Sequence, residues 1–347
     1  MTPRHDSSSV TLATVAEAAG VSRMTVSNAF NRPELVSGEL RERVLAAAAE
    51  LGYAGPNPVA RTLSRGRTGS VGLVLDYALT DAFRDPPTIE FITGVVGGCE
   101  AWTMGLSLVP RIAGRDAALV HTALVDGFVL YCVPEGDPRL DAVLARRLPY
   151  VGVDFEPTAG RRAVNIDDRG AARSVAEHVT ALGHRRVAIV LPNDSPGTTG
   201  PAALAAAYRH VDLARLTGWR EGLQAAGIDF SQVPVASAPG KDRASGRRAA
   251  AALLDRPDRP TAIIALADEL ALGVIDAAAE RGITVPGELS VAGFDDIPAA
   301  SPSLTTIRQP HARKGSEAVR LLLDPGAEAS VLLPTELVIR ASTAPAP

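Results

Sequence analysis

Cysteine is almost missing from this 347-residue chain: only Cys99 and Cys132 occur, among small or apolar neighbours and without metal-ligand spacing. That excludes a disulfide framework and a cysteine-based metal centre, and leaves two core thiols. No apolar run approaches the roughly 20 residues a membrane-spanning helix needs, and Met1–Ser9 has no apolar h-region. A cytoplasmic protein without membrane contact is expected. Catalytic signatures are missing too: there is no G-x-S-x-G elbow, Walker A loop, G-x-G-x-x-G fingerprint or H-E-x-x-H pair. His178 and His184 lie six apart across a helix end, which suits capping or surface roles better than metal ligation. The paired carboxylates Asp167-Asp168 and Asp295-Asp296 keep a hydrolase imaginable, but no catalytic constellation forms around them. The expectation is a protein that is not an enzyme and needs neither cofactor nor metal.

Charge is present but unevenly placed. The formal net charge is −4, yet residues 1–69 carry eight Arg against six Asp and Glu, leaving −6 for the remainder. An acidic body would be repelled by DNA, so any nucleic-acid contact belongs to the N-terminal part.

That part holds the most specific pattern. Leu12, Val15, Ala16 and Ala19 recur at helical spacing behind a candidate cap at Thr11. Gly20 ends the helix, Val21 plugs the corner, and Ser22 caps a second helix in which Val26 and Phe30 face inward. Arg23, Met24, Thr25, Ser27 and Asn28 are left on or near an outer face that is small, polar and nearly free of acid. Two short helices joined this way place the second in a DNA major groove. A third helix, capped at Ser37, offers Leu40, Val44, Leu45, Ala48 and Leu51 to close a three-helix core before Gly52-Tyr53 and the breaker Pro56-Asn-Pro58. The basic segment Val59–Arg67 is too short and too polar to be a stable helix alone, and reads as a linker that folds against a partner.

Beyond residue 69, short apolar strands alternate with helices, as in open parallel sheets. Strands are expected at 70–75, 106–110, 127–133, 150–154, 186–190, 233–237, 262–265 and 290–293. Helices are expected at 88–103, 140–147, 169–182, 213–226, 244–254 and 269–281. Two doubly wound lobes with a ligand cleft at the strand C-terminal ends follow.

Val10–Asn31, Arg41–Tyr53 and Pro56–Leu63 closely resemble the DNA-binding end of the LacI/GalR family of bacterial transcriptional regulators. The likeness continues through Val164–His178, Leu182–Val190, Asp268–Gly273, Ile283–Pro286, Val291–Ile297 and Leu304–Pro310, in the family's order. It implies an all-α helix-turn-helix domain plus an α/β, periplasmic-binding-protein-like core of two doubly wound parallel-sheet lobes. The chain would pass between lobes near Asn165, Pro310 and Pro325. The expected division is therefore a DNA-binding domain at 1–55, a hinge at 56–69, a first lobe at 70–165 and 311–325, and a second at 166–310 and 326–347.

The resemblance also implies roles. Arg23, Met24 and Asn28 stand at the family's specificity positions: arginine can take a guanine, asparagine an adenine, and methionine a thymine methyl. Thr25, Ser27 and Asn31 are expected on phosphates, with Thr11 and Ser22 completing the contacts of the head; Ala60, Arg61 and Leu63 supply those of the hinge, Arg61 to phosphate. Leu63 matches the leucine that wedges into the minor groove at the operator centre, where two copies unstack one step and bend the duplex. A homodimer on a pseudo-palindromic operator in double-stranded DNA, acting as a repressor, is implied. The tail after Ser342 carries no heptad repeat for a tetramer.

Arg215 and Asp295 are placed in the cleft by the same resemblance, with Asp154 and Asp268 as further candidates. Asp268 is equally a possible N-cap. The loop after Leu75 adds Asp76, Tyr77 and Phe83. Lys241 stands where the family often has an aromatic, Ala267 replaces an asparagine, and Leu191–Asp212 is an insert at the cleft rim. The effector is expected to be a sugar or other polar metabolite, and Lys241 near Arg215 would suit an anionic one. The alternative is an enzyme or ligand-binding protein on a doubly wound fold with an appended helical head.

Overall fold

The computed structural model describes residues 10–55, 66–76, 78–112, 116–156, 160–192, 210–300 and 302–347. The chain divides into two units, Met1–Thr68 and Gly69–Pro347.

In the first unit, α1 (Leu12–Ala18) starts at Thr11, whose hydroxyl accepts from the Thr14 N–H. It stops where Gly20 takes φ +64, which lets the Val21 N–H donate back to the Ala16 carbonyl at 2.9 Å. Helix α2 (Arg23–Asn31) is capped by Ser22 and α3 (Gly38–Glu50) by Ser37. Val15, Ala16, Ala19, Val26, Ala29, Val44 and Ala48 form the core between them. Small residues allow the three helices to sit close, and Phe30 closes one side edge-on to Tyr53 at 5.8 Å. Phe30 and Leu40, Leu45 and Leu51 are half-buried rather than central, because alanines already fill the middle.

The second unit runs β1 (Ser70–Leu75), α4 (Leu79–Ala82), α5 (Pro86–Ala101), β2 (Gly105–Val109), α6 (Asp116–Thr122), β3 (Gly127–Tyr131), α7 (Pro138–Arg146), β4 (Tyr150–Val153) and β5 (Ala163–Ile166). It continues with α8 (Asp168–Ala181), β6 (Val187–Pro192), α9 (His210–Ala225), β7 (Val235–Ala238), α10 (Arg243–Leu254), β8 (Ala262–Ala265) and α11 (Asp268–Ala279). The last elements are β9 (Ser290–Ala292), β10 (Thr306–Arg308), α12 (His311–Leu323), β11 (Ser330–Leu333) and β12 (Glu336–Val338).

A six-stranded sheet has the order β11-β5-β4-β3-β1-β2 and a four-stranded sheet the order β7-β6-β8-β9; their strand pairs are parallel. The inner strands β1, β3, β4 and β5 of the larger sheet are buried on both faces: Val71, Leu73 and Leu75 pack into one apolar cluster and Val74 into another. That is why they read as continuous apolar runs. β10 and β12 form a separate antiparallel pair.

The chain leaves the first lobe after Ile166, returns after Arg308, and leaves again after β11. β11 pairs with β5 in the six-stranded sheet, so the third passage falls at Leu333-Pro334 and not near Pro325. Residues 326–333 thus belong to the first lobe. β5, β10, β11 and β12 are only three or four residues long and gave no periodic signal of their own.

Glycines set how closely helices approach. A Cβ on Gly218 of α9 would lie 2.1 Å from the Arg169 carbonyl of α8, and one on Gly94 of α5 would lie 1.8 Å from the Ala312 carbonyl of α12. Only glycine fits at either contact. The first contact sits less than a turn from Arg215 on one helix and one residue from Asp168 on the other; the second sits beside His311 and Lys314.

Candidate DNA-reading face and inter-lobe recess

On α2, Arg23, Met24, Ser27, Asn28 and Asn31 share one side, spaced i, i+1, i+4, i+5 and i+8. Val26 and Ala29 are buried on the other. Met24 is 74% exposed and Arg23 is exposed beside it. The first turn of α2 carries no acid, so the positive end of its dipole is not countered there. Ser22 Oγ accepts from the Thr25 N–H at 3.1 Å and lies 2.9 Å from Thr25 Oγ. Thr11 repeats this with Thr14. Asn31 Nδ2 donates to Ser27 Oγ at 3.4 Å. The capping hydroxyls order the helix ends and remain at its exposed rim. Ala60, Arg61, Leu63 and Tyr77 lie outside the described residues.

In the second unit a small recess opens where strands end: Tyr131 at the end of β3 and Cys132 after it, Asp154 after β4, Leu266 and Ala267 after β8, and Asp295 after β9. Asp85, Asp212, Arg215, Lys241, Gln309 and His311 also line it. Cys132, Asp154 and Asp295 have φ of 55°, 53° and 123°, the left-handed region that costs a non-glycine roughly 1–3 kcal/mol. Such strain at strand ends turns side chains towards the recess. An adjoining open groove shares Asp85 and Lys241.

The charged groups are held in a chain. Arg215 Nε donates to Asp168 Oδ1 at 2.8 Å, Nη1 donates to the Leu266 carbonyl at 2.8 Å, and the guanidinium lies over the Phe294 ring at 3.7 Å. Asp295 Oδ1 is 3.9 Å from Arg215 Nη1 and accepts from Gln309 Nε2 at 2.6 Å. Gln309 Oε1 accepts from Lys314 Nζ at 2.8 Å, and Lys314 donates to Asp154 Oδ1 at 2.6 Å. The sequence therefore joins both lobes through the passage at Gln309. Burial pushes the Asp295 carboxyl well up, against the opposing Arg215 charge. Burial also pushes Asp168 up while Arg215 holds it down. Burial disfavours the Arg215 charge, and the neighbouring Asp168 and Asp295 more than restore it, so its pKa is raised. His311 is pushed well down by burial and by the Lys314 and Arg215 cations, so its ring is neutral.

Asp154, Arg215, Lys241 and Asp295 thus meet in the recess as expected sites would. Two candidates do not. Asp268 is wholly buried: it accepts from the Ile297 N–H at 2.9 Å and the Thr306 hydroxyl at 2.6 Å, tying α11 to the loop after β9. Burial raises its carboxyl to about 6, against those bonds. Ala267, not Asp268, occupies the N-cap position. Phe83 closes the four-residue α4 and faces outward, 52% exposed. Asp76 is taken by Arg139 at 3.0 Å and Arg111 at 3.3 Å. Both carboxylate pairs are split between separate partners: Asp167 caps α8 while Asp168 holds Arg215, and Asp296 meets Arg308 at 2.7 Å while Asp295 holds Gln309. His184 is neither cap nor surface residue but buried, bonded to Thr261, Ser290 and the Ala344 carbonyl.

Sequence reasoning missed Asp85, Asp212, Gln309, His311 and Lys314. The available signal was the polar run after Thr305-Thr306-Ile307, with His311 and Lys314 one turn apart at a helix start. Among the described residues no cluster of His, Cys, Asp and Glu could hold a metal ion, and no helix is long and apolar enough to cross a membrane.

Residues 11–57 match the bacterial regulatory proteins of the lacI family, and residues 176–343 match the periplasmic binding protein-like domain. An HTH-type transcriptional regulator of Mycobacterium tuberculosis is 44% identical over 341 residues, 94% of this chain and 95% of that protein. The lac repressor dimer bound to operator and the anti-inducer ONPF is 28% identical, with a TM-score of 0.77 over 96% of this chain and 99% of that one. The regulator CelR in complex with cellobiose is 28% identical, with a TM-score of 0.69 over 96% and 99%. With a helix-turn-helix head and a periplasmic-binding-protein-like core for an effector, the chain belongs to the LacI family and is a transcriptional regulator, not an enzyme.

Proposed function

We propose that this regulator binds a pseudo-palindromic operator as a homodimer, represses transcription there, and is controlled by a polar small molecule in the inter-lobe recess. The observation that carries the reading is the acid-free outer face of α2, with Arg23 and Met24 exposed and Asn28 beside them. Arg23 and Asn28 supply the two commonest base-reading side chains, and Met24 an apolar contact. Thr25, Ser27 and Asn31 take phosphates. In the hinge, Leu63 wedges into the minor groove at the operator centre, with Ala60 as a further contact and Arg61 on a phosphate. The operator-bound lac repressor dimer and the cellobiose complex of CelR support the partner classes by analogy.

The recess favours an uncharged ligand over an anionic one. Asp85, Asp154, Asp212 and Asp295 face it against Arg215 and Lys241, and Arg215 is already engaged by Asp168. Ligand acts by favouring one arrangement of the lobes, and so changes the fraction of dimers competent for DNA.

Affinity selection of fragmented genomic DNA tests this. Wild type should enrich one pseudo-palindrome with a flexible pyrimidine–purine step at its centre. Leu63→Ala should weaken binding and bending with no change in core stability. Enrichment without two-fold symmetry would sink the homodimer reading, and equal bending by both proteins would sink the wedge.

A further inference from the structure

His311 is the anomaly of the recess. It is 3% exposed, and neither ring nitrogen makes a hydrogen bond of good geometry among the described residues; only the Asp295 backbone acts on it as a weak hydrogen-bonding group. A buried polar group left unsatisfied costs roughly 1–3 kcal/mol, and cores rarely retain one. Yet the fold holds this ring in place: Gly94 and Gly315 bring α12 and α5 into backbone contact around it. Its nearest ionic neighbour is Asp295, with Nε2 3.9 Å from Oδ1. That is too long for a direct hydrogen bond and short enough for one oxygen atom to touch both.

We propose that His311 is a specificity-determining contact for the effector, bonding through Nε2 to a hydroxyl of an uncharged ligand that also donates to Asp295 Oδ1. This rests on the reading of the recess as the effector site. A hydroxyl both donates and accepts, which matches one imidazole nitrogen facing one carboxylate. A phosphate or carboxylate offers only acceptors and would meet Asp295 unfavourably. The two cations nearest the ring are not left for a ligand anion, since Arg215 is paired with Asp168 and Asp295 and Lys314 with Asp154. Burial and those two cations keep the ring neutral, so it contributes a hydrogen bond and not a charge.

The test uses the full chain as wild type, His311→Phe and His311→Gln. Thermal unfolding is followed alone and with millimolar ribose, glucose, galactose or cellobiose, and with ribose 5-phosphate or glucose 6-phosphate. Without sugar, His311→Phe should unfold at or above the wild-type temperature, because an apolar ring of similar shape removes the unsatisfied group. A fall of several degrees would make His311 a structural residue and overturn the proposal. At least one uncharged sugar should stabilise wild type, with about tenfold weaker apparent affinity in His311→Phe and partial recovery in His311→Gln. Undiminished affinity in His311→Phe, or stabilisation by phosphates alone, overturns this proposal and leaves the effector reading standing. No stabilisation of wild type by any of the six overturns both.

Discussion

The head and the two-lobed core treat polar side chains in opposite ways. On α2 they stand at the surface, and their bonds are local: Ser22 to Thr25 and Asn31 to Ser27. In the core they are buried, and their bonds join residues far apart, Arg215 to Asp168 across 47 positions and Lys314 to Asp154 across 160. A face with few fixed internal partners is open to an outside one, and its bonds with a partner add to those already made. A recess whose groups are already paired can bind only by exchange, so a ligand there must rearrange Asp295, Gln309 and their neighbours. The first arrangement suits recognition and the second suits a switch.

The largest expected effect breaks the buried side of that contrast. Lys314→Met strands the Asp154 carboxylate, which should cost roughly 3–5 kcal/mol of core stability. The calorimetric transition of the core should fall by about 6–20 °C, at roughly 2–4 °C per kcal/mol for a unit of this size. Adding Asp154→Asn should recover most of the loss, since asparagine tolerates the φ of 53° and leaves no charge behind. A single variant that melts within a degree or two of wild type would show that the pair is not sequestered.

The same contrast explains what could be read without coordinates. Caps at Thr11, Ser22 and Ser37, the corner at Gly20 and the inward spacing of Val15, Ala16 and Val26 depend on neighbours within four or five positions. All were legible. So was the alternation that builds the two sheets, because parallel strands buried on both faces must be apolar throughout. The recess was legible only in part. Arg215 and Asp295 came through family likeness, while His311 and Lys314 are ordinary helix residues until α12 folds back onto α5. Asp268 was misplaced for the converse reason: a strand end followed by a helix looks like a binding position. Only the loop at Ile297 and the start of β10 at Thr306 show that its carboxylate is already used.

Asp268 gives the next effect. Its carboxyl is raised to about 6 from an ordinary 3.8, so the folded state holds the proton through that window. Its contribution to stability is therefore complete below about pH 4 and is lost as the pH rises through 6, a change of roughly 2–3 kcal/mol. Asp268→Asn should lower stability at every pH by losing an acceptor, but flatten the dependence between pH 4 and 7. Unfolding in urea across that range measures it. An unchanged slope in the variant would assign the pH dependence elsewhere.

On the head the expected effects are smaller. Ser22→Ala removes the cap of α2 and should cost about 1 kcal/mol. Hydrogen exchange should show α2 amides losing about fivefold protection while the amides of β1 and β3 do not change. If core protection fell equally, the two units would share one cooperative transition, and the separation of local from sequestered polar groups would have no energetic meaning.

Met24→Ala is the smallest change in stability and the sharpest probe of the comparison. Met24 is 74% exposed and caps nothing, so removal should move stability by less than about 0.5 kcal/mol. A residue that does nothing for the fold yet presents a flexible thioether on an otherwise polar face has its use outside the molecule. Against a randomised operator library, the variant should lose preference at a single base pair in each half-site, by about 1 kcal/mol or less, because apolar contact to a thymine methyl is weaker than a bidentate hydrogen bond. Preferences owed to Arg23 and Asn28 should persist. A consensus identical to that of wild type would reduce Met24 to an exposed side chain, and would leave base reading to the polar residues of the same face.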